Sequence, residues 1–352
     1  MTHRPLFGKP SELRAVDGVS LSIRQGETFA IVGESGCGKS TSARLLTRLI
    51  EPSSGEVLYD GSDISHLRAG TMRALRRDLQ LVFQDPFSSL NPRMSVAALV
   101  EEPMQAHGLG DRDARRARAE DLLRRVGLRP DYADRYPHEF SGGQRQRIGI
   151  ARALATGPKV VIADEPVSAL DVSIQAQVIN LLEELKDEFG LTLVIIAHDL
   201  AVIRHMADRV AVMYLGIVVE IASTEALFET PQHPYSQALI SAIPAPFVGP
   251  RAARMHLVGD PPSPASPPSG CRFHTRCPHA QPRCATQTPN LVDLGSGRAV
   301  ACHLHDEISH VGLVRAAPTR SPGAVRRFEL YRALRTNEVA GGDVVNSVNL
   351  SR

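Results

Sequence analysis

Gly33-Glu-Ser-Gly-Cys-Gly-Lys39-Ser40 is the segment of this 352-residue sequence that leaves the fewest options for its fold. The pattern G-x-x-x-x-G-K-[ST] surrounds phosphate oxygens with inward-turned backbone N–H groups, and it works only as the turn between a strand and a helix. The flanks meet that demand. Residues 15–32 alternate short apolar strands with a Gln-Gly turn and run straight into the loop, while Ser40 to Ile50 sets Leu45, Leu46, Leu49 and Ile50 on one helical face. Gly33, Glu34, Ser35, Gly36, Cys37, Gly38, Lys39, Ser40 and Thr41 are therefore candidate nucleotide contacts, with Cys37 a small filler. Only four of the 40 basic residues are lysines (Lys9, Lys39, Lys159 and Lys186). A lysine in this slot of an arginine-rich chain points to a site where a planar guanidinium does not fit.

Val160-Val-Ile-Ala-Asp164-Glu165 reads as an apolar strand ending in two carboxylates. Ligands of open α/β sheets sit beyond the carboxyl ends of the strands, which makes Asp164 a candidate Mg²⁺ partner and Glu165 the base that polarises an attacking water. Ser40 supplies a hydroxyl to the same ion. Phe140-Ser141-Gly142-Gly143-Gln144 opens a helix running through Arg152, with Ser141 as N-cap and two glycines exposing backbone donors. One nucleotide does not need two anion sites in one chain, so the arrangement suggests use across a dimer. Residues 56–64 read as a hairpin turning at Asp60-Gly61, and about 85–155 as helical and arginine-rich. Strands at Val160–Ala163, Leu191–Ala197, Val210–Met213 and Val218–Ile221 alternate with helical stretches such as 173–189. This is the pattern of an α/β fold with a mostly parallel sheet.

The order of the motifs resembles the ATP-binding subunit of ABC transporters: phosphate loop, Gln84 after Leu81-Val-Phe, Ser141-Gly-Gly-Gln144, Asp164-Glu165, Ser168-Ala-Leu-Asp171, then His198 after Leu193-Val-Ile-Ile-Ala. The resemblance spans about residues 13–240. It implies a P-loop NTPase with a RecA-like core and a helical signature subdomain at about 86–150, paired head to tail around two ATP molecules. The implied catalytic set is Glu165, His198 and Gln84, with Gln84 on Mg²⁺ or the attacking water and His198 on the γ-phosphate. Ser141, Gly142, Gly143 and Gln144 would reach ATP held by the opposite subunit, and Asp171 would couple the two sites. Phe140 stands where the family usually has Leu. Against that pattern the chain is expected to lack the family's first strand and its adenine-stacking aromatic, with Phe7 the candidate for the stacking role.

The phrases Gln84-Asp-Pro-Phe-Ser-Ser-Leu-Asn-Pro-Arg93 and His233-Pro-Tyr-Ser-Gln-Ala-Leu239 are similar to those of the oligopeptide/dipeptide branch, in the form of its second ATPase subunit. That implies an ATPase energising import of di- or oligopeptides. Its partners would be a second, non-identical ATPase subunit, two membrane permeases and an extracytoplasmic peptide-binding protein. It would lie peripherally on the cytoplasmic side of the inner membrane. Alternatives are the same machinery carrying nickel or sugar, a redox-sensing regulator, and a soluble ABC ATPase acting on DNA or ribosomes. The last is disfavoured by a single cassette and by only about 100 residues between Lys39 and Ser141, too few for a long coiled coil.

Beyond residue 243 the character changes. Eight prolines fall between Pro244 and Pro268, which excludes helix or central strand and suggests a linker or wrapping arm. Cys271, Cys277, Cys284 and Cys302 follow, separated by five, six and seventeen residues. No gap fits a zinc knuckle, whereas the ligand spacings of Cys₄ iron–sulfur clusters vary. Similar extensions in the resembled branch look like 4Fe–4S sites, with Zn²⁺ the alternative and His274, His279, His303 and His305 alternative ligands. The expected divisions are 1–243, 244–305 and a weakly patterned, disordered tail at 306–352. A net charge of +2 gives no case for nucleic acid, and the longest apolar run, Val210 to Val219, is half of what a membrane span needs.

Overall fold

In a computed structural model, the structure describes residues 2–3, 11–85, 89–168, 170–243, 255, 257 and 259–308; Phe7 and nearly all of the 306–352 tail lie outside these. Five apolar runs become parallel strands: β1 (Thr28–Val32), β4 (Leu79–Val82), β5 (Val160–Asp164), β6 (Thr192–Ala197) and β7 (Arg209–Tyr214). Their order across the sheet is β7-β1-β6-β5-β4, so the strand that feeds the phosphate loop is flanked on both sides. All five residues of β1 and all six of β6 are buried, as strands covered on both faces must be. The intervening hairpin forms as expected, with β2 (Leu58–Tyr59) paired to β3 (Ser62–Asp63) across Asp60 and Gly61, both at positive φ.

The stretch 15–23 differs from its reading. Val19, Leu21 and Ile23 pack inward against the core while Ser20, Ser22 and Arg24 face out, but no ladder forms there. The segment expected to be strand buries alternate residues as a strand would, yet among the described residues it pairs with no other strand and forms none.

Helix α1 (Lys39–Leu46) follows the loop, and α2 (Ala69–Leu75) precedes β4. The arginine-rich region becomes α3 (Val96–Ala106), α4 (Arg112–Arg125) and α5 (Gly142–Leu154), which pack against one another around buried Leu99, Val100, Leu122, Leu123 and Ile148. Arginines of α4 are paired locally: Arg116 with Glu120 and Asp134, and Arg118, Arg124 and Arg125 around Asp121, whose carboxyl they hold below its ordinary range. That is a solvated, self-neutralised face rather than a phosphate-binding stripe. Helix α6 (Val172–Phe189) ends at Gly190 in the left-handed region, and α7 (Leu200–Met206) bridges β6 and β7.

Antiparallel β8 (Ile217–Ser223) continues the sheet beyond β7, then α8 (Thr224–Glu229) and α9 (Pro234–Ser241) close the region. The Cys-bearing stretch carries a short helix α10 (Pro282–Thr286) and a hairpin of β9 (Val292–Gly295) and β10 (Arg298–Val300). Strand β10 pairs with β8, Val300 opposite Glu220 and Ala299 opposite Ile221, so these late residues extend the cassette's sheet to eight strands. The fully buried Glu220 carboxylate accepts the backbone N–H groups of Gln232 and His233 and pairs with Arg298 at 3.2 Å. A buried carboxylate requires such partners, and one of the three comes from the C-terminal hairpin.

Candidate functional site

The site lies where β1, β5 and β6 end. Gly38, at φ +106°, takes a conformation that side chains resist, and a Cβ there would overlap the carbonyl oxygen of Ala15. A Cβ at Gly33 would overlap that of Met213. The backbone is thereby turned so that the first turn of α1 has no side-chain cap and no acidic residue; its N–H groups at Lys39, Ser40 and Thr41 are the donors an anion takes. Lys39 is 4% exposed, and its Nζ donates to the carbonyls of Gly33 and Glu34, each at 2.9 Å. Among the described residues no carboxylate pairs with it. Burial pushes the Cys37 thiol up against the pull of Lys39, which keeps it protonated and suits a small filler.

At the end of β5, Asp164 Oδ1 accepts from the Ser40 hydroxyl at 2.9 Å. Burial raises the Asp164 carboxyl above the usual carboxylate range, with the Ser40 hydrogen bond opposing and the Glu165 charge reinforcing the rise. A cation placed between Ser40 and Asp164 would relieve that cost. The next residue, Glu165, sits at φ +46° with its N–H on the Ile196 carbonyl at 2.9 Å, an uncommon backbone for a glutamate. One of its oxygens, Oε2, receives Gln84 Nε2 at 2.8 Å and has His198 Nδ1 at 3.5 Å. Three motifs far apart in sequence thus converge on one carboxylate.

The helix opened by Ser141-Gly-Gly-Gln144 begins with a complete capping box: Ser141 Oγ accepts from the Gln144 N–H at 3.4 Å, and Gln144 Oε1 from the Ser141 N–H at 3.0 Å. A Cβ at Gly143 would stand 2.6 Å from Ile174 Cγ2, so this helix start abuts α6 just behind Asp171. Among the described residues the hydrogen bonds of 141–144 stay within the helix start, and none reaches the phosphate loop of the same chain. Asp171 is exposed at the N-cap of α6 without a side-chain cap bond. Phe140 is buried edge-on to Tyr132 at 5.6 Å, which fits it to the apolar slot.

Sequence reasoning did not find the residues that brace the loop from behind. Tyr235 Oη accepts the Glu34 N–H at 2.9 Å, so this donor faces a hydroxyl. Arg276 Nη1 lies 3.1 and 2.9 Å from the two Glu34 carboxylate oxygens. Tyr214, Tyr235, His233 and Phe273 stack together with centroids 4.7–5.6 Å apart. The one available signal was the phrase His233-Pro-Tyr235 itself. Proline residues 261, 262 and 264 border the same face of the loop, as a wrapping arm would.

His233 caps α9 by accepting the Tyr235 N–H on Nδ1 at 3.0 Å, and burial pushes its imidazole down to about 3. The folded chain keeps it neutral while the unfolded chain protonates it near pH 6.5. Its contribution to stability is therefore complete above about pH 6.5 and is lost as pH falls towards 3, at about 1.4 kcal/mol per unit. Between pH 6.5 and 5 the chain is expected to lose about 2 kcal/mol more than a His233→Gln variant, read by denaturant melts at both pH values. Equal losses would contradict the assignment.

The cysteines gather in the extension. Cys284 is buried and the other three half-buried; Cys277 lies within electrostatic reach of Cys302, Cys271 and Cys284. Burial pushes the thiols of Cys271, Cys277 and Cys302 up, backbone N–H groups oppose the rise, and the Leu304 N–H donates to Cys302 Sγ at 3.4 Å. Among the described residues no three His, Cys, Asp or Glu side chains stand close enough to share one metal ion. His274 and His303 direct ring nitrogens to the carbonyls of Cys271 and Gln287.

Two family profiles match the chain: "ABC transporter" over residues 16–168 and "Oligopeptide/dipeptide transporter, C-terminal region" over 219–284. The oligopeptide transport ATP-binding protein AppF of Bacillus subtilis (strain 168) is 54% identical over 300 residues, 84% of this chain and 91% of that protein. The probable peptide ABC transporter ATP-binding protein y4tS of Sinorhizobium fredii is 56% identical over 292 residues, 83% of each chain. Among solved structures, a dimeric ATP-binding cassette in a post-hydrolysis state bound to ADP and Pi superposes with a TM-score of 0.57 at 33% identity, over 63% of this chain and 95% of that one.

Proposed function

We infer that this chain, which belongs to the ATP-binding subunits of oligopeptide/dipeptide ABC transporters, hydrolyses ATP to energise import of di- and oligopeptides. The observation that carries the reading is the meeting of Gln84 and His198 on Glu165, beside the Ser40–Asp164 pair and the uncapped start of α1. Lys39 and the first turn of α1 hold the β- and γ-phosphates. Ser40, Asp164 and Gln84 would hold Mg²⁺, whose charge offsets that of the phosphates. Glu165 takes a proton from the water whose oxygen bonds to the γ-phosphorus as the bond to ADP breaks. His198 and Gln84 orient the reacting groups.

The start of α5 has no partner for its donors in its own chain's phosphate loop, which supports its use on ATP bound by a second subunit. Asp171, exposed beside it, would face the same neighbour. ATP then bridges two subunits, and hydrolysis removes the bridge, a population shift driven by differential contacts. Among the described residues no helix is long and apolar enough to cross a membrane. The names of the relatives, peptide transport ATP-binding proteins, support coupling through separate permeases, with this chain on the cytoplasmic face. A second, non-identical ATPase subunit and an extracytoplasmic peptide-binding protein complete the assembly.

We propose that the four thiols serve a 4Fe–4S cluster, with Zn²⁺ the alternative. What supports the reading is the donor set, four thiols in one stretch, and the Leu304 N–H on Cys302 Sγ, the kind of donor that stabilises a cluster-bound thiolate. Cys271, Cys277, Cys284 and Cys302 would hold it. In vesicles containing the whole assembly, peptide-loaded binding protein is expected to raise ATP turnover several-fold, and nickel or sugar to leave it unchanged. Prepared without air, the same assembly should show iron and visible absorption. Turnover at full rate by a dilute monomer, indifferent to permease and peptide, would refute the transport reading.

A further inference from the structure

The loop that carries Cys271 and Cys277 also reaches the phosphate loop. Arg276, adjacent to Cys277, is only 8% exposed at its side chain and spans 242 positions of sequence to place Nη1 at 3.1 and 2.9 Å from the Glu34 carboxylate and 3.4 Å from Tyr214 Oη. Arg272, next to Cys271, pairs with Asp17 and donates to the Leu215 carbonyl. Phe273 is 1% exposed among Tyr214, Tyr235 and His233, and Tyr235 in turn takes the Glu34 N–H. Glu34 is the second residue of the phosphate-binding turn, and no other cation pairs with its carboxylate among the described residues. Left uncompensated, that negative charge would stand against the triphosphate whose loop it belongs to.

We propose that Arg276 is a positioning residue of the nucleotide site: by neutralising Glu34 it makes ATP affinity depend on the conformation of the four-cysteine loop. This rests on the nucleotide reading above and adds to it a link between the extension and the site. One unit charge removed at several ångström from a polyanion, at the effective dielectric of a partly buried site, changes affinity about tenfold. The coupling is reciprocal, because whatever ATP gains from an ordered Arg276, the loop gains from bound ATP.

The test uses the full-length chain and a ribose-labelled fluorescent ATP. Arg276→Met keeps the aliphatic volume in a buried slot and removes the charge; affinity is expected to fall about tenfold, with Arg276→Lys close to wild type. Adding Glu34→Gln to Arg276→Met should restore affinity to within about twofold of wild type, since the repelling charge is gone. A merely structural role for Arg276 predicts no such rescue, and that result would overturn the proposal, as would wild-type affinity in Arg276→Met. Should the Met variant fold poorly, the unaltered chain still decides: saturating ATP is expected to slow amide exchange across 271–277 several-fold, and unchanged exchange would overturn the link. Lys39→Ala separates the two levels. Normal ATP binding by that variant would sink the nucleotide reading itself, whereas failure of the Arg276 rescue leaves that reading standing.

Discussion

Glu165→Gln is expected to lower ATP turnover at least about a hundredfold while leaving ATP affinity within a few-fold of wild type. A positioned general base contributes roughly 10²–10⁴ in rate, and nothing else at the end of β5 can replace it. Asp164 is committed to Ser40, and His198 is more than half exposed, 3.5 Å from the same oxygen. Glutamine keeps the shape and retains a carbonyl oxygen to accept from Gln84, so the 2.8 Å contact survives without the basic carboxylate. The unusual backbone at φ +46° is unaffected by the exchange. With cleavage blocked and binding preserved, ATP-bound paired cassettes should accumulate, visible as a larger species in size-exclusion chromatography when ATP is added. Wild-type turnover by this variant would remove Glu165 from the mechanism.

Lys39→Ala is expected to weaken ATP binding about a hundredfold, the loss of a charge-assisted contact to phosphate in a partly desolvated site. The resting interactions explain why the lysine is available. Among the described residues its buried ammonium is held by neutral groups, the carbonyls of Gly33 and Glu34 and the Cys37 sulfur, so a phosphate oxygen competes with dipoles rather than with a carboxylate. Lys39→Arg should be impaired about tenfold although the charge is kept, because the slot is 4% exposed and lined by the loop backbone and Cys37 Sγ at 3.9 Å. Equilibrium binding of labelled ATP reads both variants, with melting temperature as the check on folding. Arginine performing as well as lysine would show that charge alone, rather than its compactness, is what the slot selects.

Local chemistry made the phosphate loop legible before any coordinates. Gly33, Gly38 and Lys39 have few other uses in that spacing, and Ser141 read as an N-cap, to which the structure adds the reciprocal bond from Gln144. Asp164 and Glu165 were equally plain, since carboxylates at the end of an apolar strand must face something polar. The hairpin at Asp60-Gly61 followed from its turn residues. The hairpin formed by β9 and β10 did not: Val292–Gly295 is exposed along its whole length, so no alternating burial marks it. Its membership of the sheet depends on β8 offering an edge some 75 positions earlier. The bracing of Glu34 by Arg276 and Tyr235 was hidden for the same reason, because pairings across about 200 residues leave no periodic trace. The cysteines were noticed for their type and spacing, yet their nearest consequence for the loop came through the arginine between them.

The ion pair between Glu220 and Arg298 limits how this chain could be shortened over evolutionary time. A cassette ending near residue 243 would open the flank of β8 to unpaired strands from other molecules and leave an ionised group in the interior one partner short. A lineage discarding the cysteine-bearing segment would therefore have to change position 220 as well, so genes without the segment should carry an uncharged residue there.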